Sequence, residues 1–263
     1  MNEKIFNTLY EAIQSGEPVV LATVIRGAEN EIGRHLLIRR DGSTQGNFGD
    51  PSLAARVKEQ AAALFGQQAS QTYRDGECEI FLESYFPPPK LIIVGAVHVA
   101  IPLVSFAKEL GYKVILVDPR QTFATETRFP HVDALIRKWP DEALAEVGID
   151  ASTCIVVLTH DPKFDDPAIK YALQYSPAYI GVLGSRKTHE KRLARLKQEG
   201  LTDEQLAFLH APIGLDLGGQ TPVEIALSIM SEIVAVRRGR VFLLQHKRAA
   251  AQPRRSRAAG DHS

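Results

Sequence analysis

The chain is expected to be an α/β protein: a doubly wound parallel sheet across residues 87–245, preceded by a smaller α+β domain at residues 1–86. Three observations predict this. Short apolar runs recur from Lys90 onward, at residues 91–94, 114–117, 155–158 and 179–183, with segments of helical character between them. Each run is apolar on successive positions rather than alternate ones, as strands buried on both faces require. Strands of that kind alternating with helices define a parallel sheet covered on both sides, the Rossmann-like arrangement. The triplet Pro87-Pro88-Pro89 enters neither a helix nor a central strand, so it marks the joint between the two parts.

The first part reads as follows. Residues 3–14 have helical spacing, residues 18–25 form a β-rich run, and residues 35–40 form a second strand closed by the turn Asp41-Gly42. Asp50-Pro51 starts a helix to about residue 65, with aspartate as N-cap and proline in the first helical position. Residues 78–83 are edge-like. In the second part a helix ends at Gly111 and the next strand stops at Asp118. A weaker unit lies at 134–136 and a last strand-like piece at 208–213.

Composition narrows the class. Of 263 residues, 44% are apolar and 24% charged, enough for a core without disulfide staples and too apolar for a disordered chain. Thirty-one basic residues balance thirty-one acidic ones. Five of the basic residues fall in the low-complexity stretch 246–263, read as a disordered basic tail, which leaves a mildly acidic body. That balance by itself says little about nucleic acid; no nucleic-acid partner is expected. The start lacks the pattern of a signal peptide, and the longest apolar run is broken by Gly95 and Pro102, so a cytoplasmic protein without a membrane partner is expected. Cys78 and Cys154 make no disulfide framework; Cys154 reads as a small core residue.

Four stretches carry candidate chemistry. Gly95-Ala96-Val97-His98 is the first strand–helix turn, with Val97 where a dinucleotide fingerprint needs its second glycine. Asp118 follows the second strand as a ribose-binding carboxylate does, with Arg120 two residues on. The turn either binds a dinucleotide such as NAD(P) or only packs helix on strand. Thr159-His160-Asp161 ends the fourth strand, where His160 and Asp161 form a general acid/base pair, ligate a metal or serve the structure. Asp166, before Pro167, reads as a helix N-cap. No CxxC, HExxH or clustered carboxylates argue for a metal site.

Gly184-Ser185-Arg186-Lys187 opens a helix with two cations in its first turn, where they oppose the helix dipole. Free amides and positive charge there suit an anion such as phosphate. Glycines then crowd around Asp216, at Gly214, Gly218 and Gly219, which points to close approach by a ligand or another backbone. Thr221-Pro222-Val223-Glu224 is a capping box, and its helix places Ile225, Ile229, Met230 and Ile233 on a core face.

Taken in order, Ile93-Val94-Gly95-Ala96-Val97-His98, Val117-Asp118-Pro119-Arg120, Arg128-Phe129-Pro130, Leu158-Thr159-His160-Asp161, Ile180-Gly181-Val182-Leu183-Gly184-Ser185-Arg186-Lys187 and Pro212-Ile213-Gly214-Leu215-Asp216-Leu217-Gly218 resemble the xanthine dehydrogenase accessory protein (XdhC/CoxI) family. The resemblance covers roughly residues 80–239. It departs at Val97, where members show glycine, and around residues 46–51, where they show a triple glycine and a glutamate. The resemblance implies an accessory protein rather than a catalyst. It would bind the molybdenum cofactor (molybdopterin), stabilise it and deliver it to a molybdoenzyme of xanthine dehydrogenase or carbon monoxide dehydrogenase type. A cysteine desulfurase or sulfurtransferase assists some members, and a homodimer is implied. The cofactor-binding set expected is Gly95, His98, Asp118, Arg120, His160, Asp161, Gly184, Ser185, Arg186, Lys187, Asp216 and Gly218. The alternatives are an NAD(P)-dependent oxidoreductase and a non-catalytic assembly module.

Overall fold

The computed structural model describes residues 2–67 and 69–240. The expected tail at 246–263, and the end of the second part beyond residue 240, lie outside the described residues. The chain divides into two compact units, Met1–Pro88 and the remainder from Pro89.

In the first unit five antiparallel strands form one sheet. The elements are α1 (Glu3–Ser15), β1 (Val19–Arg26), β2 (His35–Arg39), β3 (Thr44–Gly46), α2 (Pro51–Gln67), β4 (Gln71–Asp75) and β5 (Cys78–Tyr85), with strand order β3-β2-β1-β5-β4. Alternation along β1 divides its side chains between the two faces. Val19 and Leu21 meet Ile5, Leu9 and Ala12 of α1, while Val20, Ala22 and Val24 meet Leu53, Val57, Ala61 and Leu64 of α2. Asp50 caps α2 through the Ser52 amide (2.8 Å), with Pro51 first in the helix, as expected. The short strands β3 and β4 have no apolar pattern of their own and were not legible.

The second unit contains β6 (Lys90–Val94), α3 (Ala100–Glu109), β7 (Lys113–Val117), β8 (Ala134–Ile136), α4 (Pro140–Val147), β9 (Cys154–Val157), α5 (Pro162–Ala172), β10 (Tyr179–Val182), α6 (Arg186–Gln198), α7 (Asp203–Ala207), β11 (Leu209–His210) and α8 (Pro222–Arg237). Its six strands are parallel in the order β11-β10-β9-β6-β7-β8. Counted within this unit, that is the Rossmann order 3-2-1-4-5-6, with its switch point between β6 and β9. The strands are apolar on both faces because both are covered. Leu91 and Ile93 point toward α3 and α8, and Ile92 and Val94 toward α4, α5 and α6. Cys154 is fully buried in the first of these cores, and burial pushes its thiol up to about 12.

Two expectations need correction. The piece at 208–213 is a strand only at residues 209–210, after which the chain turns to line a cavity. Asp166 is not an N-cap. The helix begins one turn earlier, at Pro162, and Pro167 lies inside it. Two Asp/Pro steps five residues apart both carry a helix-start signal, and the first took the role. Asp161 accepts from the Lys163 amide (3.0 Å), while Asp166 is buried and paired with Arg195 of α6.

Candidate functional site

In a parallel sheet all strands end at one edge, and the loops there form the ligand crevice. Every expected site residue falls in those loops or, for Arg186 and Lys187, in the first turn of the helix that one of them leads into. They separate into two groups.

The first group surrounds the switch point. Gly95, directly after β6, has φ +114, and a Cβ there would stand 2.9 Å from Thr159 Cγ2 and 3.2 Å from the Thr159 amide. Its glycine is therefore needed for close approach of the turn after β9, whatever else the turn does. Asp118 is fully buried. Its Oδ2 accepts from the Ala96 amide (2.8 Å) and Arg120 Nη2 (2.7 Å); its Oδ1 accepts from the Arg120 amide (3.0 Å) and Nε (2.8 Å). Burial pushes its pKa up, but the guanidinium and the two amides outweigh that and hold it below the ordinary carboxylate value. A carboxylate has about four lone-pair sites. All four are filled, so Asp118 ties down the first turn and is not presented to a ribose. Arg120 lies over the rings of Phe123 (4.5 Å) and Phe164 (5.4 Å).

His98 and His160 are exposed. His160 has φ +62, the one non-glycine positive φ among the described residues. Such a conformation costs on the order of 1 kcal/mol and has to be held by its surroundings. Beneath it, Thr159 Oγ1 donates to Asp165 Oδ1 (2.5 Å) and receives the Asp161 amide (3.2 Å). Asp161 itself serves as the α5 N-cap.

The second group lies at the far side of the sheet. Gly184 follows β10, Ser185 caps α6 by accepting from the Thr188 amide (3.2 Å), and Arg186 and Lys187 are exposed in the first turn. Arg186, Asp216 and Gly218 line a cavity of about 440 Å³, enclosed by Leu183 after β10, the 209–219 segment and α8. Gly184, Ser185 and Lys187 border its Arg186 side without lining it, and no residue of the switch-point group reaches it.

Sequence reasoning missed the cavity floor. Glu232, fully buried on α8, accepts from Tyr179 Oη and the Gly214 amide, each at 2.7 Å, and lies 3.6 Å from His210 Nδ1. Burial, then Glu232's charge and hydrogen bond, push Tyr179 well above its ordinary pKa. Its ring stacks on His210, with centroids 4.6 Å apart. The signal was present: Glu232 falls on the same helical face as Ile225 and Ile229, an acid on a core stripe. Gly214 has φ +89, and a Cβ there would stand 2.2 Å from Ser228 Oγ, which donates to the Leu215 carbonyl (2.6 Å). The glycine cluster thus presses the loop onto α8 and shapes the cavity. The capping box at Thr221 and Glu224 is formed as expected.

The order of strands, the carboxyl-edge loops and a cavity of ligand size define a protein with a Rossmann-type domain. More particularly, the chain belongs to the XdhC and CoxI family: the XdhC Rossmann domain matches residues 91–233, and the XdhC and CoxI family matches residues 12–75. It is 28% identical over 233 residues to a probable xanthine dehydrogenase subunit of Bacillus subtilis, covering 89% of this chain and 65% of that one. It is 24% identical over 273 residues to PaoD, a molybdenum cofactor insertion chaperone of Escherichia coli, covering 86% of each. An uncharacterized Escherichia coli protein, YqeB, is 26% identical over 89% of this chain but only 46% of its own length, so the chain spans about half to two thirds of two of its relatives. A crystal structure of a xanthine dehydrogenase from Bacillus halodurans shares the fold, with a TM-score of 0.54 at 20% identity over 93% of this chain and 98% of that one. Among the described residues no helix is long and apolar enough to cross a membrane.

Proposed function

We propose that this protein binds a molybdenum cofactor and acts as an accessory protein that passes it to a molybdoenzyme of xanthine dehydrogenase type. The observation that carries the reading is the cavity beside β10 and α8, in a chain whose relatives include a molybdenum cofactor insertion chaperone. A volume of about 440 Å³ is suited to a pterin-sized ring. Leu183, Ile213, Leu215 and Ile225 offer apolar walls to its faces, and Asp216 and the loop carbonyls offer acceptors to its N–H edge. When bound, the cofactor supplies a dithiolene that carries its own metal. The chain then needs to hold only the organic part; among the described residues no group of three or more His, Cys, Asp or Glu could hold a metal ion.

The site's position at the sheet edge supports a delivery role. Asp216 and Arg186 hold the ligand from the rim, where a receiving enzyme can compete for it. The reading extends to a homodimer and to help from a cysteine desulfurase or sulfurtransferase, as in the family. A dinucleotide reading is disfavoured by the full engagement of Asp118. Gel filtration of the protein after incubation with molybdenum cofactor tests the proposal. Wild type should retain the cofactor, and Arg186→Ala should retain several-fold less. Wild type emerging without cofactor overturns it.

A further inference from the structure

The turn between β10 and α6 holds a cation with more donors than acceptors. Arg192, two helical turns past the Ser185 cap, has a side chain only 3% exposed. Its Nη2 donates to the Leu183 carbonyl and to Asp165 Oδ2, each at 3.2 Å, which fixes the guanidinium directly beneath the turn. Its Nε and Nη1 are buried without a hydrogen-bond partner among the described residues. Leaving such donors unpaired is unfavourable, and more so where the group is charged. The turn is thin above them. A Cβ on Gly184 would stand 3.8 Å from Nη1 and 3.4 Å from Thr188, so the missing side chain leaves a notch over the guanidinium.

The notch opens at the start of a thirteen-residue helix, where the first amides and the dipole both favour negative charge. Arg186 and Lys187 add two exposed cations in the same turn. Ser185 is committed to the cap. Arg192, with two donors left over, Lys187 and a helix terminus stand around one buried acid, Asp165. That excess calls for a dianion with several acceptor oxygens.

We propose that Gly184–Thr188 together with Arg192 form a seat for a phosphate monoester, with Arg192 as its buried counter-charge. One phosphate oxygen fills the Gly184 notch and takes the Arg192 donors; the others take the first-turn amides and the Arg186 and Lys187 side chains. The seat adjoins the cavity through Arg186, so a ligand can place its ring in the cavity and its phosphate here. This rests on the cofactor reading only for which phosphate-bearing ligand arrives.

Amide chemical shifts of the full chain, titrated with inorganic phosphate and with phenyl phosphate, test the seat, with chloride at matched ionic strength as control. Saturable shifts confined to Gly184–Thr188 are expected. Arg192→Lys should weaken phosphate binding about tenfold, and Lys187→Gln about threefold with an unchanged unfolding midpoint. Shifts that do not saturate, or that match those in chloride, overturn the seat. So does folded Arg192→Lys that binds as wild type. Should the Arg192 variant fail to fold, unaltered binding by folded Lys187→Gln overturns it instead. Retention of molybdenum cofactor by a protein that ignores both phosphates would sink this seat and leave the proposed function standing.

Discussion

Asp118 and Arg120, two residues apart, close on each other at two points: Nε donates to Oδ1 at 2.8 Å and Nη2 to Oδ2 at 2.7 Å. The same carboxylate receives the Ala96 amide, so one ion pair locks the loops after β6 and β7 together. Asp118→Asn leaves the Arg120 charge half-buried and one amide badly paired. A loss of about 2–3 kcal/mol in urea unfolding is expected, below the full value for a buried pair because Arg120 is 30% exposed. NAD(P)H binding by wild type that this change abolishes while leaving stability intact would restore the ribose role.

Acid should weaken the protein through Asp150. Burial raises its pKa, but Lys90, Ser152 and Thr153 together lower it to about 2. A carboxyl held below its unfolded value of about 3.9 stabilises the fold fully above that pH and progressively less as pH falls toward the folded value. Carboxyl NMR should place its midpoint near pH 2, and Asp150→Asn should flatten stability between about pH 4 and 2.

The two cysteines should differ sharply. Cys154 is fully buried with its thiol pushed up to about 12, whereas Cys78 is partly accessible and only raised. A thiol reagent at pH 8 should modify Cys78 in the native protein and Cys154 only in denaturant. Equal native rates would contradict the burial of β9.

Glu232→Ala strands the Tyr179 hydroxyl and the Gly214 amide and should cost about 3 kcal/mol. Glu232→Gln keeps an acceptor for both and should cost about 1 kcal/mol or less. Equal losses for the two variants would mean that packing, not the hydrogen bonds, sets the cost.

Two glycines of one loop should respond unequally to alanine. At Gly214 a Cβ meets Ser228 at 2.2 Å and backbone at 3.2 Å, so more than about 2 kcal/mol should be lost, along with the cavity. At Gly218 nothing lies within 4 Å and only the φ of +71 opposes the change, about 1 kcal/mol. Thermal unfolding of both variants, with cofactor retention alongside, separates the two effects.

The parallel sheet was legible because residues 91–94, 114–117 and 155–158 are apolar at every position, a pattern few other structures tolerate. The capping box at Thr221 was legible because its chemistry is local. The carboxyl-edge loops were legible as a set, since Gly95, Asp118, His160 and Gly184 each closely follow a strand. Their individual duties were not. Gly95 answers to Thr159, sixty-four residues away, and Asp118 to Ala96; such pairings exist only once the sheet is assembled. Arg192 escaped notice because its helix carries cations at half of its positions, and nothing in that run marks the one turned inward. β3 and β4 are short and largely exposed, so they lack the periodicity that reveals a strand.

The cavity's floor comes from α8, whose Glu232 joins Tyr179 of β10 to the loop at Gly214. That helix is the last described element of the chain to leave the ribosome. Synthesis at about 5–20 residues per second completes the sheet seconds before it completes the cavity. A nascent chain therefore has the sequence of its strands complete before that of the helix that floors the cavity. A chain stopped before residue 222 would keep every strand of the parallel sheet and lack the helix that floors the cavity.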